Sequence, residues 1–131
     1  MIHEHQQHET HESNQSLWLL VAAPTIWAVH FLASYLTAAI WCEKYFSPEA
    51  SFRPVQVLIA AYTVVALIGI GVIGASGYRR HSFEDSTGPH DFDTPESRHR
   101  FLGFATLLLA ALSAVATVFV AIAAFFFSDC H

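Results

Sequence analysis

The segment from Leu17 to Trp41 contains 25 residues and not one Asp, Glu, Lys or Arg. The hydrocarbon core of a bilayer is about 30 Å thick, and about 20 apolar residues of helix cross it. The segment is therefore predicted to form a membrane-spanning helix over about residues 17–41. Two further uncharged blocks, residues 55–78 and 101–127, satisfy the same condition and predict two more spans.

The composition is typical of a membrane protein. The chain has 131 residues, of which 53% are hydrophobic and only 13% are charged, whereas soluble domains carry about 25% charged residues. The predicted fold class is all-α: an integral membrane protein with three transmembrane helices in a small bundle. Residues 16–131 are predicted to form this single domain, and the length fits one small domain.

The first fifteen residues are polar and acidic, and we predict a disordered tail over 1–15. Residues 1–16 contain no Lys or Arg, and the apolar block that follows is longer than a signal sequence needs, so we expect a retained span. Clustered histidines can bind zinc, copper or nickel loosely, or simply belong to a solvated tail. The histidines in question are His3, His5, His8 and His11.

One face of the first span is polar and aromatic, while the rest of that helix is aliphatic. Its members recur at helical spacing, so they share a side of the helix. We predict that this face packs against protein instead of lipid. It consists of Trp27, His30, Ser34, Thr37 and Trp41.

His30 lies near the middle of the first span, where an ionisable side chain is costly. One interpretation is a neutral histidine that hydrogen-bonds within the bundle, to Ser34 or to a carbonyl freed near Pro24. The other is a haem ligand. Spans 2 and 3 contain no His or Met, so a second axial ligand would have to come from another chain. We expect no cofactor in the isolated chain.

Small residues in spans 2 and 3 predict close helix packing. Gly69, Gly71 and Gly74 match a dinucleotide-binding glycine pattern formally, but that site requires a preceding strand, so we reject it. Gly71 and Ala75 instead form a small-xxx-small pair. Span 3 carries a longer small face, made of Gly103, Ala110, Ala114, Thr117, Ala121 and Ala124.

Charge asymmetry predicts the orientation, because cytoplasmic loops carry an excess of Lys and Arg. The polar loop 79–100 is flanked by four arginines, and the opposite side has only Lys44 and Arg53. We therefore predict a bacterial inner membrane protein whose N-terminus and 79–100 loop are cytoplasmic. The 42–53 loop and the C-terminus would then be periplasmic.

The two cysteines follow the first and third spans at the same predicted end of the bundle. Disulfides persist in the periplasm, and facing positions on neighbouring helices can meet the required separation. A bridge between Cys42 and Cys130 is predicted. Two free thiols, or a copper-binding pair helped by His131, are the alternatives, since thiolate and imidazole suit copper.

Three segments carry a family resemblance: PTIWAVHFLASYLTAAIWC (24–42), DTPESRHRFLGFATLLLAALSAVATVFVA (93–121) and the terminal Asp129-Cys130. With these, the chain resembles a group of small three-helix bacterial membrane proteins whose genes accompany haem–copper terminal oxidases, such as cytochrome c oxidases. The resemblance implies a non-catalytic accessory subunit or assembly helper in the respiratory chain, with the oxidase core subunits and the lipid bilayer as partners. It implies no catalytic residues, and we expect no enzyme activity.

Two other functions are compatible with the sequence. One is a copper-binding membrane metallochaperone that uses the histidine-rich tail or the cysteine pair. The other is an oligomeric haem-binding electron carrier built on His30. Nucleic-acid binding is not expected, because the sequence has no basic stripe.

Overall fold

The computed structural model contains three α-helices: α1 (Ile2–Lys44), α2 (Arg53–Phe83) and α3 (Pro95–Phe126). The predicted all-α three-helix bundle is confirmed, and no strand occurs among the described residues. The residues described are 2–45, 47, 49–83, 95–127 and 130; in 2–16, 80–83 and 95–99 only the helical backbone is described.

All three helices are long and apolar enough to cross a membrane. The spanning parts have 28, 27 and 27 residues and comprise Leu17–Lys44, Arg53–Arg79 and Arg100–Phe126. At about 1.5 Å of rise per residue, each is about 40 Å long and exceeds the hydrocarbon core. The chain is therefore an integral membrane protein, as predicted.

The N-terminal segment differs from the expectation of a disordered tail over 1–15. The structure instead continues α1 back to Ile2, so that helix and tail are one element. A helix already nucleated by the span adds residues without the cost of a new nucleus. The Gln and Glu residues of this segment are also good helix formers.

The starts of α2 and α3 follow local sequence signals. The Ser51 hydroxyl accepts a hydrogen bond from the Arg53 backbone N–H at 3.4 Å, and Pro54 falls in the first turn of α2. Pro95 is the first residue of α3. Proline suits these positions, because its missing N–H would have no helical partner there.

Helices that follow one another in the chain are antiparallel, and α2 and α3 share the closest contact. A Cβ atom on Gly77 would lie 3.1 Å from the carbonyl oxygen of Gly103, and one on Gly74 would lie 3.3 Å from the Cβ of Ala110. Glycine is needed at these positions because the two backbones approach so closely. The contact anchors the end of the bundle opposite the cysteines.

The predicted small pair Gly71–Ala75 does not take part in this contact. Both residues are exposed, and a Cβ atom on Gly71 would meet no described atom within 4 Å. The reason is rotational: α2 turns the side with Gly74 and Gly77 towards α3, which leaves Gly71 on the outer surface. Spacing alone did not distinguish these two sides of the helix.

The interior is small and partly polar. Its apolar cluster consists of Ala23, Ile70 and Ala110, one from each helix. Thr63, Thr106 and Thr117 are also buried, and each hydroxyl donates to the carbonyl four residues earlier on its own helix. Hydroxyls satisfied in this way can be buried without an unpaired polar group.

Replacing Gly77 by Val should destabilise the bundle by about 1–3 kcal/mol, since the added atoms would overlap the α3 backbone. The measurement is equilibrium unfolding by sodium dodecyl sulfate in mixed micelles, followed by tryptophan fluorescence.

Gly71→Val is the matched control, because it is the same chemical change on the same helix at an open position. It should unfold within about 0.5 kcal/mol of the unaltered protein. Equal losses for the two variants would contradict the packing described above.

Candidate functional site

The inner face of α1 holds the five residues predicted to form a packing face. His30 and Ser34 are each 4% exposed, and Trp27, Thr37 and Trp41 are half-buried. The side chains between them on the outer side are mostly exposed. The structure therefore turns this face towards α2 and α3.

His30 forms the polar contact between α1 and α2. Its Nε2 lies 3.0 Å from the Thr63 hydroxyl, which itself donates its hydrogen to the Ile59 carbonyl at 2.7 Å. A hydroxyl has one hydrogen, so only a lone pair of Thr63 is left to face the ring. His30 must therefore donate from Nε2, and in the neutral ring Nδ1 is then the bare acceptor.

The predicted partners of His30 are corrected by this contact. Neither Ser34 nor a carbonyl near Pro24 bonds to the ring in the described structure; Thr63 on the neighbouring helix does. One feature of the sequence points to this partner. Thr63 lies near the middle of span 2, and His30 lies near the middle of span 1. Two antiparallel helices bring such positions to the same depth.

Three polar atoms on the inner face of α1 are buried and have no hydrogen-bond partner among the described residues. They are Trp27 Nε1, His30 Nδ1 and Ser34 Oγ. The first is a donor, the second is an acceptor and the third can do both. Buried unpaired polar groups cost free energy, and in a native protein each of them needs an explanation. This cluster is the candidate site.

A cleft opens next to Ser34, in the half of the bundle that ends at Cys42 and Cys130. Its volume is about 210 Å³ and its lining is almost wholly apolar. We call it the α1–α3 cleft, since most of its lining comes from these two helices. Its lining includes Phe31, Ser34, Tyr35, Ile59, Ala124 and Phe127.

Stacked aromatic rings form one wall of this cleft. Phe31 and Tyr35 are one helical turn apart, with ring centroids separated by 6.4 Å and planes tilted by 16°. Trp27 continues the stack towards the other end, 6.2 Å from Phe31. The three aromatic residues lie four positions apart, on successive turns of one helix.

Haem ligation by His30 gains no support from this geometry. Nε2 is engaged by Thr63, the side chain is 4% exposed, and His30 does not line the α1–α3 cleft. A haem ligand needs a free nitrogen that faces space for a macrocycle. The contact to Thr63 instead supports the interpretation of His30 as a hydrogen-bonded helix-packing residue.

Cys42 and Cys130 lie at one end of the bundle and are disulfide-bonded in the structure, with 5.8 Å between their Cα atoms. This agrees with the predicted pairing. The bridge ties the end of α1 to the chain just after α3. In the bonded form the two sulfurs offer no thiolate, which the alternative copper pair requires; His131 lies outside the described residues.

The other proposed metal ligands cannot be placed. The side chains of His3, His5, His8 and His11 lie outside the described part of the structure. Among the residues that are described, no group of three His, Cys, Asp or Glu side chains comes together. The metal-binding interpretation of the tail stays a prediction.

Comparison of the chain with protein-family models, with curated proteins and with solved structures finds no match. The class of protein is thus defined by the fold alone: a three-span helical membrane protein with a buried polar face.

The His30–Thr63 contact predicts a measurable coupling. Thr63→Val should destabilise the bundle because the buried Nε2–H loses its acceptor. In a double-mutant cycle with His30→Leu, the coupling should be about 0.6 kcal/mol and at most about 1.7 kcal/mol. Detergent unfolding of the four proteins measures it.

Thr117→Val provides the control for this cycle, since Thr117 is buried but bonds only to its own helix. Its coupling with His30→Leu should be close to zero. A coupling energy between Thr117 and His30 as large as that between Thr63 and His30 would contradict the His30–Thr63 hydrogen bond.

The cysteine pair predicts a redox-dependent stability. Full-length protein from native membranes should resist maleimide labelling until a reductant is added. Cys42→Ser should expose one labelled thiol and lower stability by about 2–4 kcal/mol. Labelling of the untreated protein would show that the thiols are free.

Proposed function

We propose that this chain is a non-catalytic accessory subunit or assembly helper of a membrane respiratory complex, a haem–copper cytochrome c oxidase. The observation that carries the proposal is a helix surface that the bundle leaves uncovered. On α2 it is a smooth ridge of small and β-branched side chains. We call it the α2 ridge; it consists of Val57, Ala61, Val64, Ile68, Gly71 and Ala75, all exposed.

The α2 ridge is suited to a further helix. Gly71 and Ala75 let another backbone approach closely, and neither is used within the bundle. Lipid chains would fill such a surface loosely, whereas a second helix with small residues packs against it at short range. Only 17–22% of the residues in an apolar 18-residue stretch of each span are buried, so a large area remains for lipid and partner.

The remaining support is chemical. No Asp, Glu, Lys or Arg lies in the predicted spans 17–41, 55–78 and 101–127, whereas a solute or proton pathway would normally carry several such groups in the bundle. The ionisable side chain of His30 is bonded to Thr63. Three helices that bury small and hydroxyl-bearing side chains against one another are better suited to helix–helix association than to the transport of a solute. The resemblance to proteins encoded beside terminal oxidases supplies the identity of the proposed partner.

The proposed setting is the bacterial inner membrane. The arginines that flank the 79–100 loop support a cytoplasmic position for that loop. The disulfide-bonded cysteines lie at the opposite end, which would then face the oxidising periplasm. The charge asymmetry and the cysteine chemistry favour the same orientation.

Affinity purification of the tagged full-length chain from native membranes in mild detergent tests the partner. Mass spectrometry should find oxidase core subunits in stoichiometric amounts. Solitary migration in native gels, together with normal oxidase activity in a deletion strain, would refute the proposal.

Gly71→Val separates binding from folding. This variant should keep the stability of the bundle yet lose most of the co-purified partner, because the new side chain blocks close approach. Ala111→Val, an exposed position on α3, is the matched control and should retain the partner. Equal recovery with both variants would exclude the α2 ridge as the interface.

A further inference from the structure

The first helix is longer than the membrane requires. α1 begins at Ile2, whereas its apolar span begins at Leu17. At about 1.5 Å of rise per residue, this extension of α1 is about 22 Å long. Four histidines and three glutamates lie between its first residue and residue 12, so the helix sets residue types that bind metals in a fixed register.

The helical register places most of these residues on one face. Successive residues of an α-helix are rotated by about 100°, since 3.6 residues complete a turn, and five of the seven fall within an arc of about 120°. We call this arc the His8 face; it consists of Glu4, His5, His8, His11 and Glu12. His3 and Glu9 fall outside it.

His8 occupies the centre of this face. The neighbours of a residue on a helix surface are those three and four positions away, with about 5–6 Å between Cβ atoms. For His8 these are positions 4, 5, 11 and 12, and each of them is a His or a Glu. The corresponding neighbours of His3 within α1 are Gln6 and Gln7. His8 is thus the one histidine of the extension with a potential ligand at all four neighbouring positions.

The chemistry of the His8 face indicates which ion it suits. The face combines three imidazoles with two carboxylates. Imidazole suits zinc, copper and nickel, whereas magnesium and calcium prefer carboxylates, carbonyls and water. Zinc sites on helices use histidines one turn apart on one face, and His5, His8 and His11 follow one another at that spacing.

We propose that the His8 face binds one divalent ion of the zinc type, with His8 and its neighbours at helical spacing as the ligand set. The site depends on the α-helix, because a histidine-rich tail without fixed structure binds such ions only loosely. It is independent of the proposed oxidase partner, since the α2 ridge is a different part of the molecule. A face that binds no ion would carry only Glu–His pairs on a solvated surface.

The test is calorimetric titration of the full-length chain in detergent micelles, without a polyhistidine tag and after removal of metals with a chelator. Zinc sulfate is the probe, at about pH 7.5, where imidazoles are neutral and able to bind a metal. The expected result is saturable binding of one zinc ion per chain and no binding of magnesium. Zinc binding without a defined stoichiometry, or an equal response to magnesium, would overturn the proposal.

His8→Ala and His3→Ala are matched variants, because each removes one imidazole from the same extension. Loss of a group that only supports a ligand costs about 10–100-fold in metal affinity, so loss of a central ligand should cost at least about tenfold. His8→Ala should weaken zinc binding by that amount, whereas His3→Ala should leave it nearly unchanged. Equal effects of the two variants would contradict a site centred on His8.

Thr10→Pro distinguishes a helical site from a loose histidine tail. It keeps every His and Glu but interrupts the helix within the face, because proline lacks the N–H and clashes with the carbonyl four residues earlier. Zinc affinity should fall about as far as in His8→Ala, while the control Thr10→Ala, which preserves the helix, should bind like the unaltered chain. Unchanged zinc affinity in Thr10→Pro would show that the helix is not required and would overturn the proposal.

Discussion

A bilayer gives two apolar helices no hydrophobic reason to meet, because lipid tails are as apolar as the helices themselves. The fold of this chain depends on what replaces that force. At one end, Gly77 lets the backbones of α2 and α3 come within contact distance of each other. In the middle, His30 bonds across to Thr63. At the other end, a disulfide from Cys42 fixes α1 to the chain beyond α3. Each level of the bundle is held by a different short-range interaction.

The polar interior follows from the same constraint. Hydroxyls can be buried here because most donate to their own helix, which leaves their lone pairs free for a neighbour. Thr63 uses this to accept from His30 and thereby sets the tautomer of the ring. Polar atoms left over on α1, such as Ser34 Oγ, are then the exceptions among the buried polar atoms of the residues that the structure describes.

The outer surface of the bundle carries two distinct features, the α2 ridge and the α1–α3 cleft. The α2 ridge is smooth and offers close approach around Gly71, which suits the backbone of another helix. The α1–α3 cleft is lined almost wholly by apolar side chains, among them Phe31 and Tyr35.

The sequence by itself determined the three spans and the inner face of α1 from Trp27 to Trp41, because length and periodicity fix which residues cross the bilayer and share a side of a helix. It brought Cys42 and Cys130 to one end of the bundle but left open whether they are bonded. It did not determine the helix rotations. Small residues lie on more than one side of α2, so spacing favoured Gly71, whereas packing selected Gly77. Nor did it identify Thr63 as the partner of His30, since that contact exists only once two helices are set at a common depth and angle. The unpaired hydroxyl of Ser34 and the cleft beside it are likewise products of packing: a void depends on how three surfaces meet, and no single helix encodes it.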